Sequence, residues 1–229
     1  MRTPRLFVDS ADTAAIAPLL EGALVYGVTT NPTILDRAGR SASQIPSLYE
    51  SWADQGAREI FFQAWGDDSQ SIERRARQIL ALGERAVVKI VATEQGFQVA
   101  SRLASQGAPV LLTGVYTVAQ ALVAASVRMR YIAPYLGRMR DSGSGDLEDI
   151  ARMQAVALAA GTDVLAASLR SPEDVVALAE RGITAFTVSP AVLQRMLSSE
   201  ATDDANSAFE AAASLVGVHD DLVPIRGTA

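Results

Sequence analysis

The chain has 229 residues, of which 49% are hydrophobic and 20% charged, a composition typical of a folded globular protein and not of a disordered one. Its 20 basic and 26 acidic residues give a net charge of −6, which argues against nonspecific binding to nucleic acid. The absence of cysteine excludes disulfides, thiolate metal ligands and cysteine nucleophiles, and the single histidine, His219, excludes a histidine-rich metal site and argues against a Ser-His-Asp triad.

Short runs of apolar and β-branched residues recur along the chain and predict strands. They cover residues 6–9, 27–31, 59–64, 86–91, 109–115, 131–135, 163–168 and 185–189. Longer stretches between them have the spacing of amphipathic helices and predict helices at residues 69–82, 94–105, 117–127, 146–160 and 172–180. Residues 139–145 form a predicted Gly/Ser-rich loop, and one more helix is predicted at residues 205–216.

Eight apolar strands that alternate with helices predict a parallel sheet covered by helices, and eight is the number that closes a (β/α)8 TIM barrel. An open doubly wound sheet is the alternative, but Gly143-Ser144-Gly145 lacks the third glycine of a dinucleotide-binding loop. We therefore expect an α/β protein with one barrel domain over residues 1–229. Residues 203–229 would form an additional C-terminal helix and tail, whose apolar stripe is available for contacts with other subunits.

The N-terminus is not followed by a signal-peptide core, and no apolar stretch reaches the length of a membrane span. We expect a cytoplasmic protein with no membrane partner.

Active sites of such barrels lie at the carboxyl ends of the strands, so polar residues at those ends are candidates for function. They are Asp9, Thr30, Asn31, Gln63, Lys89, Thr113, Tyr135, Arg138, Ser168, Arg170 and Ser189.

Lys89 is the most informative of these residues, because it is the only lysine among 20 basic residues and lies inside the apolar run of residues 86–91. A buried amine is costly unless it is paired, neutral or functional. A neutral lysine can attack a carbonyl, which arginine cannot do near neutral pH. The alternative is a structural lysine paired with a carboxylate.

The other candidates have structural interpretations as well. The segment of residues 29–32 can be a turn that ends a strand, and Tyr135 can pack in the core with its hydroxyl at the edge. Arg138 and Arg170 can be solvated surface charges, and the paired aspartates at residues 67–68, 203–204 and 220–221 can be loop or capping residues.

Three segments together resemble the transaldolase family. Residues 27–34 (GVTTNPTI) are similar to its N-terminal signature, residues 87–90 (VVKI) to its lysine segment and residues 164–170 (VLAASLR) to its phosphate-binding strand. The resemblance runs from about Leu6 to Met196 and implies a TIM barrel in which Lys89 forms an imine with a ketose. The imine chemistry that this resemblance implies requires no metal and no organic cofactor.

The resemblance also implies roles for the other candidates. Gln63, Thr113 and Tyr135 would hold a proton-relaying water, with Tyr135 as the acid/base. The substrate, a small sugar phosphate, would be bound by Asp9, Thr30, Asn31, Arg138, Ser168 and Arg170. The resemblance to the small members of the family implies a decameric assembly. We therefore expect a homo-oligomer and favour a decamer.

Within the family, the sequence resembles fructose-6-phosphate aldolase at three positions, Gln63, Ala133 and Tyr135. Small transaldolases have Glu, Ser and Phe at these positions. Val91 and Ala92 depart from the usual lysine segment, which continues with proline. The activity implied is cleavage or formation of fructose 6-phosphate from dihydroxyacetone and glyceraldehyde 3-phosphate. Transaldolase is the alternative, and a phosphosugar isomerase without a Schiff base or a noncatalytic barrel is the second.

Overall fold

The predicted barrel is confirmed. In the computed structural model, which describes residues 3–216, eight parallel strands pair in chain order and close into a barrel. The strands are β1 (Arg5–Asp9), β2 (Gly27–Thr29), β3 (Glu59–Gln63), β4 (Ala86–Val91), β5 (Val110–Val115), β6 (Tyr131–Pro134), β7 (Asp163–Ala166) and β8 (Ala185–Val188). Each strand begins within one residue of its predicted start and ends at, or up to two residues before, its predicted end.

Helices follow the strands around the barrel. The described residues form α1 (Thr13–Glu21), α2 (Pro32–Arg37), α3 (Ile45–Asp54), α4 (Ser69–Leu80), α5 (Glu94–Ser105), α6 (Val118–Ser126), α7 (Leu136–Ser142), α8 (Leu147–Leu158), α9 (Pro172–Glu180), α10 (Pro190–Leu197) and α11 (Glu200–Val216), with a 3-10 turn at Ala42–Gln44. In the part of the chain that the structure describes, none of these helices is both long and apolar enough to cross a bilayer.

Several helix boundaries follow from capping. α5 and α9 have their predicted bounds, whereas the predictions for α6 and α8 included the capping residues Thr117 and Asp146. The Oδ1 of Asp146 accepts a hydrogen bond from the backbone N–H of Glu148 at 2.9 Å, which satisfies a donor that the first helical turn leaves unpaired. Capping side chains therefore lie just outside the helices that they stabilise.

Other helices differ from the predictions. α7 occupies the first part of the predicted loop at residues 139–145, and Gly143, at φ +64°, ends it. α11 begins at Glu200, five residues before its predicted start. The chain divides into a barrel unit that ends at Leu193 and a C-terminal unit that contains α11. His219, residues 220–221 and the rest of the predicted tail lie outside the described residues.

The barrel interior is filled by one cluster of buried side chains, with Phe7 and Phe61 packed edge to face at 5.4 Å between ring centroids. The members of the cluster are Phe7, Phe61, Val87, Leu111, Tyr131, Ala133, Leu165 and Ala185. Because side chains alternate between the two faces of a strand, the next inward positions lie two residues later. These positions are Asp9, Gln63, Lys89, Thr113, Tyr135, Ala167 and Thr187. The packing therefore places a mainly polar layer above an apolar one.

The amino-terminal end of the barrel is closed by a polar network. Tyr131 donates its hydroxyl proton to the buried carboxylate of Glu59 at 2.7 Å, and Arg130 pairs with the same carboxylate. Arg5 forms an ion pair with Asp163 at 2.7 Å. Burial raises the pKa of Tyr131, with a further contribution from Glu59, so this phenol stays protonated and remains a donor. The network pairs the charged groups of Arg5, Glu59, Arg130 and Asp163 at this end of the barrel.

Candidate active site

A cavity of about 150 Å3 opens at the carboxyl ends of the strands. Six of the predicted site residues line it, and they come from segments that are far apart in the sequence. The lining residues are Asp9, Thr29, Asn31, Thr33, Ile34, Arg37, Lys89, Leu111, Ala133, Tyr135, Arg138, Leu165, Ala167, Ser168 and Thr187. The barrel therefore brings an amine, a carboxylate, a phenol and two guanidinium groups to one opening.

Lys89 is 5% exposed and lies on the inward face of β4. Its Nζ donates a hydrogen bond to the backbone carbonyl oxygen of Thr30 at 2.7 Å. Burial lowers the pKa of Lys89, and the nearby charge of Asp9 opposes this effect only in part. A neutral amine that gives one N–H to a fixed carbonyl keeps its lone pair for attack on a bound carbonyl group.

Asp9 is held by a row of hydroxyl groups. The Oγ1 of Thr29 donates to the Oδ1 of Asp9 at 2.6 Å and lies 2.5 Å from the Oγ1 of Thr187. Since the single proton of Thr29 goes to Asp9, Thr187 donates to Thr29. The row fixes the carboxylate in the cavity wall and leaves its other oxygen able to accept from a ligand.

Asn31 begins the helix α2 as its N-cap. Its Oδ1 accepts from the backbone N–H of Ile34 at 2.9 Å, and Pro32 follows at the first helical position, where its missing N–H costs nothing. The cap fixes the side chain, and its amide NH2 has no hydrogen-bond partner among residues 3–216. Asn31 can therefore present two donors to a sugar hydroxyl.

Tyr135 follows β6 and contacts Thr113, with 2.5 Å between the two hydroxyl oxygens. Burial raises the pKa of Tyr135, and the hydrogen bond with Thr113 offsets part of the change. The guanidinium of Arg138 lies 4.9 Å from the centre of the tyrosine ring, and Tyr116 packs edge-on against it at 6.2 Å. The phenol is thus protonated at neutral pH, while a cation beside it can stabilise a transient phenolate.

Ser168 lies beside Arg138 at the cavity rim in a strained backbone conformation, with φ at +58°. Its carbonyl oxygen accepts from the backbone N–H of Gly137 at 2.9 Å. A Cβ at position 137 would lie 2.7 Å from that oxygen, so only glycine permits the approach. The close contact holds the Ser168 hydroxyl at the rim of the cavity that Arg138 also lines, and Arg138 pairs with no carboxylate among the described residues.

Five of the candidates at the strand ends do not line the cavity. One of them, Ser189, accepts a hydrogen bond from the backbone N–H of Val192 at 3.3 Å. Thr113 contacts Tyr135, and Thr30 contributes its backbone carbonyl to Lys89 while its hydroxyl donates to the carbonyl of Phe61. Gln63 aligns with Lys89 across the β3–β4 register and shares its inward face. Arg170 is mostly exposed, and its Nη1 donates to the Oδ1 of Asp141 at 2.8 Å.

The structure also adds residues that the sequence analysis did not select. Thr29 belongs to the segment that was interpreted as a turn. Thr187 lies two residues before the predicted end of its strand, and counting every second residue from the inward-facing Ala185 would have identified it. Arg37 lies in the six-residue α2, which is too short for a periodicity signal.

Comparison with known proteins identifies relatives over most of the chain. The model of the transaldolase/fructose-6-phosphate aldolase family matches residues 6–223. A probable transaldolase of Rhodospirillum centenum is 31% identical over 210 residues, which are 90% of each chain. One of Hyphomonas neptunium is 30% identical over 216 residues, 93% of this chain and 99% of the relative.

Solved structures with low identity share the fold. A thiamine phosphate pyrophosphorylase of Pyrococcus furiosus superposes with a TM-score of 0.59 at 14% identity, covering 82% of this chain and 86% of that one. A mandelate oxidase mutant gives 0.58 at 17% identity, covering 81% of this chain and 64% of that one. At these identities the likeness concerns the barrel alone. From the family match, the chain belongs to the transaldolase/fructose-6-phosphate aldolase family.

Proposed function

We propose that this member of the family is a class I aldolase that cleaves fructose 6-phosphate into dihydroxyacetone and glyceraldehyde 3-phosphate, and joins them in the reverse direction. The observation that carries the proposal is the pair of groups in one cavity: Lys89, buried with a lowered pKa, and Tyr135, a phenol with a raised pKa. By its resemblance to the family, Tyr135 is one of three residues, with Gln63 and Ala133, that distinguish this aldolase from transaldolases.

The first step joins the amine to the substrate. The lone pair of Lys89 Nζ attacks the C2 carbonyl carbon of the ketose, and a proton passes from nitrogen to oxygen to give a neutral carbinolamine. Tyr135 then donates its proton to the carbinolamine oxygen, which leaves as water. The products are an iminium on Lys89 and a phenolate on Tyr135, beside the guanidinium of Arg138.

The second step breaks the carbon–carbon bond. The phenolate takes the proton of the C4 hydroxyl, the C3–C4 bond electrons move into the iminium, and glyceraldehyde 3-phosphate leaves. The remaining enamine is protonated on carbon by Tyr135. Water then adds to the iminium as Tyr135 recovers its proton, and dihydroxyacetone is released with Lys89 neutral again.

Binding roles follow the positions of the polar groups. Asp9 and Asn31 hold sugar hydroxyls, with Thr30 fixing the amine through its carbonyl. Arg138 and Ser168 bind the substrate phosphate, because a guanidinium and a hydroxyl at one rim suit its oxygens.

Three further roles are less direct. Gln63 and Thr113 orient a water near Tyr135. Arg170 remains a predicted phosphate ligand, and its ion pair with Asp141 has to open before the guanidinium can serve.

Transaldolase activity is the second candidate, favoured by the relatives that are named probable transaldolases. A transferase must keep its enamine until an acceptor arrives, whereas an aldolase protonates it. The test is to supply fructose 6-phosphate without an acceptor. We expect free dihydroxyacetone. No dihydroxyacetone, together with sedoheptulose 7-phosphate once erythrose 4-phosphate is added, would favour the transferase.

The second alternative, an isomerase without a Schiff base or a noncatalytic barrel, leaves Lys89 structural. Neither alternative predicts a covalent adduct on Lys89 after borohydride reduction in the presence of a ketose. The aldolase chemistry itself needs no metal and no organic cofactor, because the iminium is the electron sink. We propose that it takes place in the cytoplasm.

We also propose a homo-oligomer, with a decamer favoured, in which the C-terminal helix and tail contact another subunit. On α11, Phe209 is 71% exposed and Leu215 is 88% exposed, and such apolar side chains are typical of contact surfaces. Light scattering at micromolar concentration should give a mass well above 24.2 kDa. A monomer, or an assembly unchanged by deletion after Asp203, contradicts this proposal.

A further inference from the structure

Arg37 lies on the side of the cavity opposite Arg138. The eight strands follow one another around the closed barrel, so β2 and β6 are four places apart and face each other across it. Arg37 is in the helix that follows β2, and Arg138 is in the helix that follows β6. Both side chains line the same opening, with Lys89 on β4 between them.

The guanidinium of Arg37 is available for a ligand. Within residues 3–216 it forms no ion pair, hydrogen bond or ring contact, in contrast to Arg140, which pairs with Asp174 at 2.6 Å. A guanidinium presents five N–H donors in a planar fork that matches a phosphate. An unpaired arginine at the mouth of a cavity is therefore an anion-binding group with no competing partner in the barrel.

A groove continues outward from the cavity past Arg37 and reaches Arg40. The Nη2 of Arg40 donates to the Oγ1 of Thr13 at 3.1 Å, but its Nε is buried with no hydrogen-bond partner among the described residues. A buried N–H without a partner is costly unless a ligand or water accepts from it. Two arginines with unused donors thus border one groove.

Two acidic residues also line the groove, and hydrogen bonds fix the position of each. Asp9 accepts from Thr29 at 2.6 Å, and Asp12 caps α1 by accepting from the backbone N–H of Ala14 at 3.0 Å. Among the residues that line the groove, the cationic donors for an anion are the guanidinium groups of Arg37 and Arg40.

We propose that Arg37 and Arg40 form a second anion-binding site, which takes the phosphate at the other end of a sugar whose first phosphate lies at Arg138 and Ser168. The ligand class is the six-carbon sugar 1,6-bisphosphates. The placement of the first phosphate rests on the proposed function, whereas the second site rests on Arg37, Arg40 and the groove.

The experiment measures binding of two polyol phosphates to the full chain by calorimetry. Glucitol 6-phosphate and glucitol 1,6-bisphosphate have no carbonyl group and cannot form an imine, so binding does not depend on Lys89 chemistry. A charge-assisted contact should make the bisphosphate bind about tenfold more tightly or better. Arg37→Gln should reduce that advantage to less than about twofold and leave glucitol 6-phosphate affinity unchanged.

Arg152→Gln is the matched control. Arg152 is 69% exposed on α8 and pairs with Asp149, so its loss changes the net charge by the same amount at a distance from the cavity. It should leave both affinities unchanged. Arg37→Lys, which keeps the charge but loses the fork, should retain an intermediate preference.

Two results overturn the proposal: equal affinities for the two polyols in the unmodified protein, or an equal loss of bisphosphate affinity in Arg37→Gln and Arg152→Gln. Failure of the proposed function gives a different pattern. If Arg138→Gln leaves the affinity for glucitol 6-phosphate unchanged, the first phosphate does not bind at Arg138, and that part of the proposed function is wrong. The effect of Arg37→Gln on bisphosphate affinity still tests the second site in that case.

Discussion

Replacing Tyr135 with phenylalanine removes one oxygen atom from the candidate site and leaves the ring in place. The change deletes the group that we propose as acid and base, so kcat should fall by about 10²-fold or more. That corresponds to about 2.7 kcal/mol of barrier or more. The KM should change little, because the phosphate and hydroxyl contacts are made by other residues.

The same substitution also has a cost in stability. Tyr135 contacts the hydroxyl of Thr113, which is 1% exposed, and removal of the phenol leaves that hydroxyl buried without its partner. An unsatisfied buried hydroxyl costs about 1–3 kcal/mol of unfolding free energy. The kinetics must therefore be measured well below the unfolding transition, with circular dichroism to confirm folding.

The pH profile adds a readout that a structural role of Tyr135 would not change. Burial lowers the pKa of Lys89, so kcat/KM should rise with pH through a pKa below that of an ordinary lysine. Burial raises the pKa of Tyr135, so the decline caused by its deprotonation should lie above pH about 10. Tyr135→Phe should lose that alkaline decline and keep the acid one.

Tyr116→Phe is the matched control. Tyr116 packs edge-on against the ring of Tyr135, and its hydroxyl makes no hydrogen bond within the described residues. Its kcat should stay within about threefold of the unmodified enzyme. If Tyr135→Phe behaves in the same way, the reasoning is refuted and the proton transfer belongs to bound water and Thr113.

The remaining predictions concern three other roles. Lys89→Arg keeps the positive charge but cannot supply a neutral nucleophile, so kcat should fall by more than about 10²-fold in a chain that still folds; a higher residual rate measured by aldehyde release argues against the imine. Gln63→Glu restores the carboxylate of transaldolases and should raise the ratio of transfer to dihydroxyacetone release; an unchanged product ratio removes Gln63 from the relay. Arg138→Gln should raise the KM for fructose 6-phosphate by about tenfold or more and leave the KM for unphosphorylated donors unchanged; equal effects on both donors contradict phosphate binding at Arg138.

The barrel was predictable from the sequence because each strand is a continuous apolar run, as expected for strands that are buried on both faces. Lys89 stood out for the same reason, since a charged residue inside such a run has to be explained. Asp9, Asn31, Tyr135, Arg138 and Ser168 could be selected because the ends of parallel strands meet at one edge of the barrel.

The short helices and the positions of the arginine side chains could not be predicted, because they depend on contacts that the spacing of apolar residues does not reveal. α1 contains Pro18, and α2 and α7 have only six and seven residues, so none of them gives a long apolar stripe. Arg37 and Arg170 are both arginines near strand ends. Only the fold shows that Arg37 lines the cavity, whereas Arg170 pairs with Asp141 outside it.

Reduction with borohydride in the presence of fructose 6-phosphate tests the central claim most directly. Lys89 is the only lysine in the chain, so any adduct on a lysine side chain must be on Lys89. We expect a three-carbon or six-carbon unit to become attached to the Nζ of Lys89 as activity is lost, and peptide mass spectrometry to find it there. An unmodified Lys89 in enzyme that turns over fructose 6-phosphate, or an adduct on the N-terminal amine alone, would contradict the imine mechanism.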